Sequence, residues 1–388
     1  MDLIIEADSI YTEGGVVSGG TLHIKDGYIC NVYDESAEQI KNRMPEGTRY
    51  IKTPHRIFPG LLDMHIHGTG GCDVMDCSVA SLEEISRRLA AGGVTGFLAT
   101  TMTDRPDRIN EALSVVKEAS CRGVPGASIL GAYVEGPYIS EKQKGAHPAQ
   151  LIRQIDLEEL RELVEKNDII RVMAIAPEKE NAIDAIAYLK AHKILPAMGH
   201  TDAGYEEAMA AIDKGATLAT HTYNGMRGLH HREPGVLGAV LTDGRVYAEV
   251  IADLVHVHPA AVNLLYRCKR WDKLCLISDC MCAAGLADGD YYLGQEQVRV
   301  QDGVPRTQSG GLAGSTLKLL DAVKNLHLVL GIDLTEAVHM ASLVPARILG
   351  LDSVIGSIRK GKKADFIIAD EAFRVVETYI SGKCVYKG

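Results

Sequence analysis

ILPAMGHTDAGYEEAMAAIDKGATLATHTYN, residues 194–224, reads as one unit of a repeating architecture. Ile194 to His200 is a short apolar run that ends at Gly-His. Gly204 to Lys214 then places apolar residues three and four apart, the spacing of one helical face. Ala216 to Asn224 is a second apolar run, and it breaks into polar residues at His221 and Asn224. The same alternation recurs outward in both directions. Apolar segments stand at Phe58 to His67, Val94 to Thr103, Ile129 to Gly136, Ile169 to Pro177, Arg245 to Asp253 and Leu274 to Cys280. Helix-like stretches lie between them, for example Ser81 to Ala91, Leu157 to Lys166 and Ala260 to Arg270. Eight such repeats predict an α/β fold, a closed (β/α)8 barrel of the TIM type.

The two ends of the chain have another texture. Residues 1–54 alternate apolar and polar around Glu13-Gly14-Gly15, Ser18-Gly19-Gly20 and Lys25-Asp26-Gly27, which is hairpin chemistry. Residues 353–388 repeat that pattern in GSIRKGKKADFIIAD and FRVVETYISGKCVYKG. Both ends are expected to form one small β-sandwich domain, 1–54 plus 353–388, flanking a barrel of residues 55–352. Asp288 to Ser309 has little helical periodicity and is expected to be a β-rich insertion after strand eight.

Composition narrows the class of function. With 46% hydrophobic and 24% charged residues over 388, the chain is an ordinary globular protein rather than a disordered one. Forty-one Lys and Arg against 51 Asp and Glu leave a net charge of −10, which opposes general affinity for nucleic acid or an acidic membrane. An anionic substrate would have to be held by a few local cations. The first residues, MDLIIEADSIYTEGG, are acidic and carry too short an apolar run for a secretory signal. No stretch approaches the roughly 18 apolar residues of a membrane span, so a cytoplasmic enzyme is expected. Nine cysteines, none in a CxxC pair, indicate neither a disulfide framework nor a thiolate zinc site.

The chemistry sits at the ends of the predicted strands. His65 and His67 are two apart on strand one, so their rings leave the backbone on the same side. Alone, that pair is as readily a packed strand as a ligand pair. Glu135, His200 and His221 end strands three, five and six, and a carboxylate with two imidazoles is a common open set for a catalytic divalent metal. Five candidate ligands at matching strand ends favour the metal reading. Asp279, ending strand eight, stands where a carboxylate could exchange protons with an activated water; its plain alternative is to cap the turn that follows.

Taken together, the segments resemble the amidohydrolase superfamily and, within it, the N-acetylglucosamine-6-phosphate deacetylases. The resemblance rests on PGLLDMHIHG (59–68), VEGPYIS and KGAHP (134–148), GHTDAGYEEAMAAIDKGATLATHTYNGMRGLHHREPG (199–235), IADLVHVHP (251–259), LISDCMCAAGLADG (276–289), SGGLAGSTLKL (309–319) and ASLVPARILGL (341–351). It spans nearly the whole chain.

The resemblance implies metal binding by Glu135, His200 and His221, with Asp279 as acid/base and His147 polarising the acetyl carbonyl. It implies contacts to a sugar phosphate from Ala146, His147, Asn224, Gly225, Arg232, His256 and the Leu312-Ala313-Gly314 loop. The physics suits those types: an Arg fork matches phosphate oxygens, and backbone amides of a glycine-rich loop approach a ligand closely. Without the resemblance, Arg232 and His256 would read as surface residues and Asn224 as a turn residue.

Some family members replace both histidines of HxH and hold one metal. This chain keeps His65 and His67, so one or two ions per subunit, of Zn, Fe, Mn or Co, are implied. Gly225 in place of the usual Ala keeps a backbone donor and is expected to change little. Leu254 in place of the usual glycine puts the His256 contact in question. A phosphosugar partner and a homodimer or higher homo-oligomer are implied, with no nucleic acid or membrane. The N-acetylgalactosamine 6-phosphate epimer and N-acylated amino acids are the alternative substrates. A scaffold relative that had abandoned catalysis would have lost ligands, and here every one remains.

Overall fold

The computed structural model describes residues 2–388. Eight parallel strands form the central sheet in chain order: Leu61–Ile66, Val94–Thr101, Ser128–Val134, Ile170–Ile175, Leu195–Met198, Leu218–Ala219, Tyr247–Ile251 and Leu274–Ile277. These are barrel strands 1 to 8. Most of their residues are buried, which is why they read as continuous apolar runs rather than alternating ones. Strands 8 and 1 meet through few bonds: Asp279 N–H donates to His65 O at 2.9 Å, and His67 N–H to Cys280 O at 2.9 Å. The barrel therefore closes through residues of the predicted site.

Local rules explain the helices. Leu157–Lys166 begins at Asp156, whose carboxylate accepts from the amides of Glu158 and Glu159, a cap worth about 1 kcal/mol. It turns Leu160, Leu163 and Val164 inward. Tyr205–Lys214, in the opening unit, buries Ala208, Ala211 and Ile212 in the same way.

Strand 6 is shorter than the apolar run 216–224 suggested. The regular strand ends at Ala219, and backbone φ turns positive at His221 (25°) and Tyr223 (82°).

The expected boundary at residue 54 moves to Gly60. Arg56–Pro59 pairs with Ser9–Thr12 and with Phe366–Ala369 in a six-stranded sheet built from both ends of the chain. Gly60 N–H still donates to Asp365 O, whereas Leu61 N–H donates to Gly93 O in the barrel. A four-stranded sheet from residues 2–52 packs against the six-stranded one, and Ile5, Leu22, Ile24, Ile57, Phe366 and Ile368 share one core.

After strand 8, Gly289–Leu293, Glu296–Gln301 and Val304–Thr307 form an antiparallel meander. Its Leu293, Val298 and Val300 pack with Met102, Ala146, Met281 and Ala313, which brings it over the C-terminal mouth of the barrel.

Strands 5 and 6 approach so closely at Gly199 that a Cβ there would lie 2.5 Å from Thr220 Oγ1 and 2.6 Å from its Cβ. Thr220 cannot step aside cheaply, because its hydroxyl is bonded to Tyr133 OH at 2.7 Å. Gly199→Ala is expected to destabilise by about 1–3 kcal/mol through overpacking. Urea unfolding measures it, and an unchanged midpoint would mean the contact has slack.

Candidate metal centre

Glu135, His200 and His221 converge at the barrel mouth. Glu135 Oε1 lies 3.1 Å from His200 Nε2 and 3.0 Å from His221 Nε2, and the two nitrogens are 3.1 Å apart. The other carboxylate oxygen, Oε2, faces strand 1: it is 3.4 Å from His65 Nε2 and 3.1 Å from His67 Nε2. Asp279 Oδ1 approaches the same two rings at 3.6 and 3.3 Å. One buried glutamate thus joins two sets of donors.

The partners of each imidazole sort the histidines by tautomer. His200 Nδ1–H donates to Gln143 O (2.7 Å), His221 Nδ1–H to Asn224 O (3.0 Å), His67 Nδ1–H to Thr100 O (3.3 Å), and His65 Nδ1–H to Glu249 Oε2 (3.4 Å). In all four the Nε2 lone pair faces the centre, as metal-ligating histidines require. Two such lone pairs at 3.1 Å repel unless a cation or a proton lies between them. His65 Nε2, fully buried, has no hydrogen-bond partner at all. These donors fit a divalent ion, whose N and O ligands stand about 2.0–2.2 Å from it.

His147 is the reverse case. The Thr103 N–H donates to its Nδ1 at 3.3 Å, so the proton sits on Nε2, 3.5 Å from Glu135 Oε2. It is a donor to the cavity and not a ligand. Burial pushes the His147 imidazole down to about 4, and the neighbouring His200 pushes the same way, so the ring stays neutral.

The carboxylates go the other way. Where protons rather than a metal ion occupy the Nε2 positions, burial opposes the charge of Glu135, but the charge of a protonated His65 and N–H groups of His147, His200 and His221 outweigh it and hold the group well below its usual range. In that same protonated state Asp279 is held at about 2 against burial, by the His67 hydrogen bond and by the charges of His65, His67 and His221.

Backbone strain concentrates here. His200 (φ 46°), His221 (25°) and Asp279 (51°) all lie in the left-handed region, where a residue with a Cβ costs about 1–3 kcal/mol. Such conformations persist where the surroundings impose them, commonly at functional sites.

A cavity of about 310 Å³ opens over this cluster, within the range of small-molecule sites. His67, Glu135, Ala146, His147, His200, His221, Asn224, Gly225, His256, Asp279 and Leu312-Ala313-Gly314 line it. His65 lies one layer beneath. Leu254 adopts the left-handed conformation (φ 66°) that glycine favours, so the turn survives the substitution and His256 still faces the cavity. Its Nδ1 is tied to Asp253 Oδ2 at 2.6 Å.

Two expectations change. Arg232 does not line the cavity: it sits on the irregular exposed segment before helix Gly235–Thr242, with Nη1 2.6 Å from His231 Nε2. Gly225 is not interchangeable with Ala, since its φ is 58° and a Cβ would lie 2.8 Å from His200 Nδ1.

Sequence reading also missed two acids. Asp63 accepts from the Ser278 amide at 3.2 Å, and Glu249 lies beneath His65 in strand 7. The available signal was a lone acid inside an apolar strand, LLDMH and YAEVI.

A model of the amidohydrolase family matches residues 56–385. The chain belongs to that family. Among relatives, an N-acetylglucosamine-6-phosphate deacetylase of Vibrio furnissii is 48% identical over 86% of this chain and 84% of its own length. An N-acetylgalactosamine-6-phosphate deacetylase of Escherichia coli O157:H7 is 42% identical over 99% of each. A solved mutant N-acetyl-D-glucosamine-6-phosphate deacetylase from Mycobacterium smegmatis, in complex with N-acetyl-D-glucosamine-6-phosphate, superposes with a TM-score of 0.92 at 30% identity, covering all of both chains. The buried His, Glu and Asp groups at the barrel mouth of this amidohydrolase could hold a metal ion. Among the described residues no helix is long and apolar enough to cross a membrane.

Proposed function

We propose that this amidohydrolase hydrolyses the acetamide of N-acetyl-D-glucosamine 6-phosphate to acetate and D-glucosamine 6-phosphate. The observation that carries the reading is the tautomer sorting: four imidazoles offer Nε2 lone pairs around Glu135, while His147 turns an N–H toward that carboxylate.

Glu135, His200 and His221 would hold one divalent ion, and His65, His67, Glu135 and Asp279 a second, drawn from Zn, Fe, Mn or Co. A bound ion there supplies a Lewis acid and lowers the pKa of a water. His147 Nε2–H donates to the acetyl oxygen as negative charge develops on it. Asp279, ionised and at the rim of the cluster, takes a proton from the attacking water and delivers it to the amide nitrogen as the C–N bond breaks. Asn224, His256 and the backbone amides of Gly225 and Leu312-Ala313-Gly314 hold the sugar phosphate. The exposed Arg232 has no such position within one chain.

The galacto epimer is the second reading, favoured by the 42% identical relative of that name. Acetate release from the two 6-phosphates, measured side by side, separates them. Higher kcat/KM on the gluco substrate is expected; a preference for the galacto epimer reassigns the substrate, and no release from either refutes the activity.

We place the enzyme in the cytoplasm as a homodimer. All nine cysteines are free, which suits a reducing compartment. Leu229 and Val255, exposed on neighbouring loops after strands 6 and 7, offer apolar surface to a second copy.

A further inference from the structure

Strand 7 carries one charged residue inside the barrel, and the metal reading leaves it without a task. Glu249 is fully buried between Ala248 and Val250. Barrel interiors are filled by apolar side chains, and a buried carboxylate without a cation costs several kcal/mol. Among the described residues no Lys or Arg pairs with Glu249; its only ion-pair partner is His65. Its Oε1 has no hydrogen-bond partner, and its Oε2 accepts from His65 Nδ1 at 3.4 Å and from the His221 amide at 3.3 Å. A residue so placed does little for the fold.

We infer that Glu249 is the positioning residue of the second metal position: it fixes the His65 tautomer and orientation that this position needs. The inference rests on the two-ion reading above. Three of the four ligand-ready imidazoles lean on main-chain carbonyls, of Gln143, Asn224 and Thr100, which any side chain at those positions would supply. His65 alone leans on a side chain. With Nδ1–H given to Glu249, its Nε2 lone pair faces Glu135 Oε2 and Asp279 Oδ1 beside His67. Without an acceptor beneath it, the ring is free to take the other tautomer and put N–H into the site. Carboxylates behind ligating histidines also raise ligand basicity, and losing such a partner typically weakens metal binding about 10–100-fold.

The test strips the purified full-length chain with a chelator, titrates it with Zn(II), and counts ions per chain by mass spectrometry. Chelator competition gives the two affinities. The natural chain is expected to hold two ions. Glu249→Leu should weaken the second about 10–100-fold while the first, on Glu135, His200 and His221, holds. Glu249→Gln keeps the volume and one acceptor oxygen, and should fall between.

Because Glu249 acts through His65, adding Glu249→Leu to His65→Gln should change affinity no further. A Glu249→Leu chain that holds both ions as tightly as the natural chain overturns the inference, as does a full additional loss in the double variant. Should Glu249→Leu fail to fold, a Glu249→Gln chain with unaltered affinities overturns it equally. A natural chain that binds a single ion refutes the two-ion reading itself, and is told apart by that count.

Discussion

Replacing Asp279 with Asn is expected to lower kcat for acetate release by about 10²–10⁴-fold, the usual worth of a positioned acid/base group. The substitution is isosteric, so the left-handed turn at φ 51° and the hydrogen bond from the residue 279 N–H to His65 O are kept. What changes is proton capacity. Ionised Asp279 can accept a proton beside His67 and release it to a departing amine; a carboxamide can do neither. The set of Glu135, His200 and His221 does not include Asp279, so at least one ion per chain should remain and product should still bind. Metal counting and a product-binding titration accompany the rate. Retention of more than a tenth of the natural kcat would remove Asp279 from the reaction and return it to the simpler role of capping the turn after strand 8.

The second large effect is expected from Glu135→Ala. Each of the two oxygens serves a different donor set, Oε1 with His200 and His221, Oε2 with His65 and His67, so one truncation opens both. The chain should lose both ions and on the order of 10³-fold or more in activity, since a bound metal supplies several kcal/mol of transition-state stabilisation. His67→Asn is the informative comparison, because it touches only the second set. It should leave the first ion in place and reduce activity far less. If Glu135→Ala kept one ion at natural affinity, the glutamate would not be the shared ligand and the two sets would be independent.

Much of this centre was legible in the sequence for a simple geometric reason. Barrel strands are short, and their C-terminal ends all meet on one face, so Glu135, His200, His221 and Asp279 could be placed together from the positions at which apolar runs stop. His65 and His67 followed from the two-residue period of a strand. Other features had no such local signature. Glu249 looks like one acid in an apolar strand until the barrel closes and sets it beneath His65, more than 180 residues earlier in the chain. Gly225 looked exchangeable for Ala because a one-dimensional pattern carries no distances; its closeness to the His200 ring arises from the fold. Arg232 sits in a motif with the right chemistry, yet the irregular segment that carries it runs outside the cavity.

The sequence by itself determined the eightfold strand–helix alternation, the β character of both ends, and the strand-end acids and imidazoles. These are properties of periodicity and residue type, which act over a few neighbours. Tertiary structure alone decided which imidazoles turn an Nε2 lone pair to the centre and which turns an N–H. A histidine's tautomer depends on what its far nitrogen touches, and Thr103, Gln143, Asn224, Thr100 and Glu249 reach those nitrogens only after the barrel has closed.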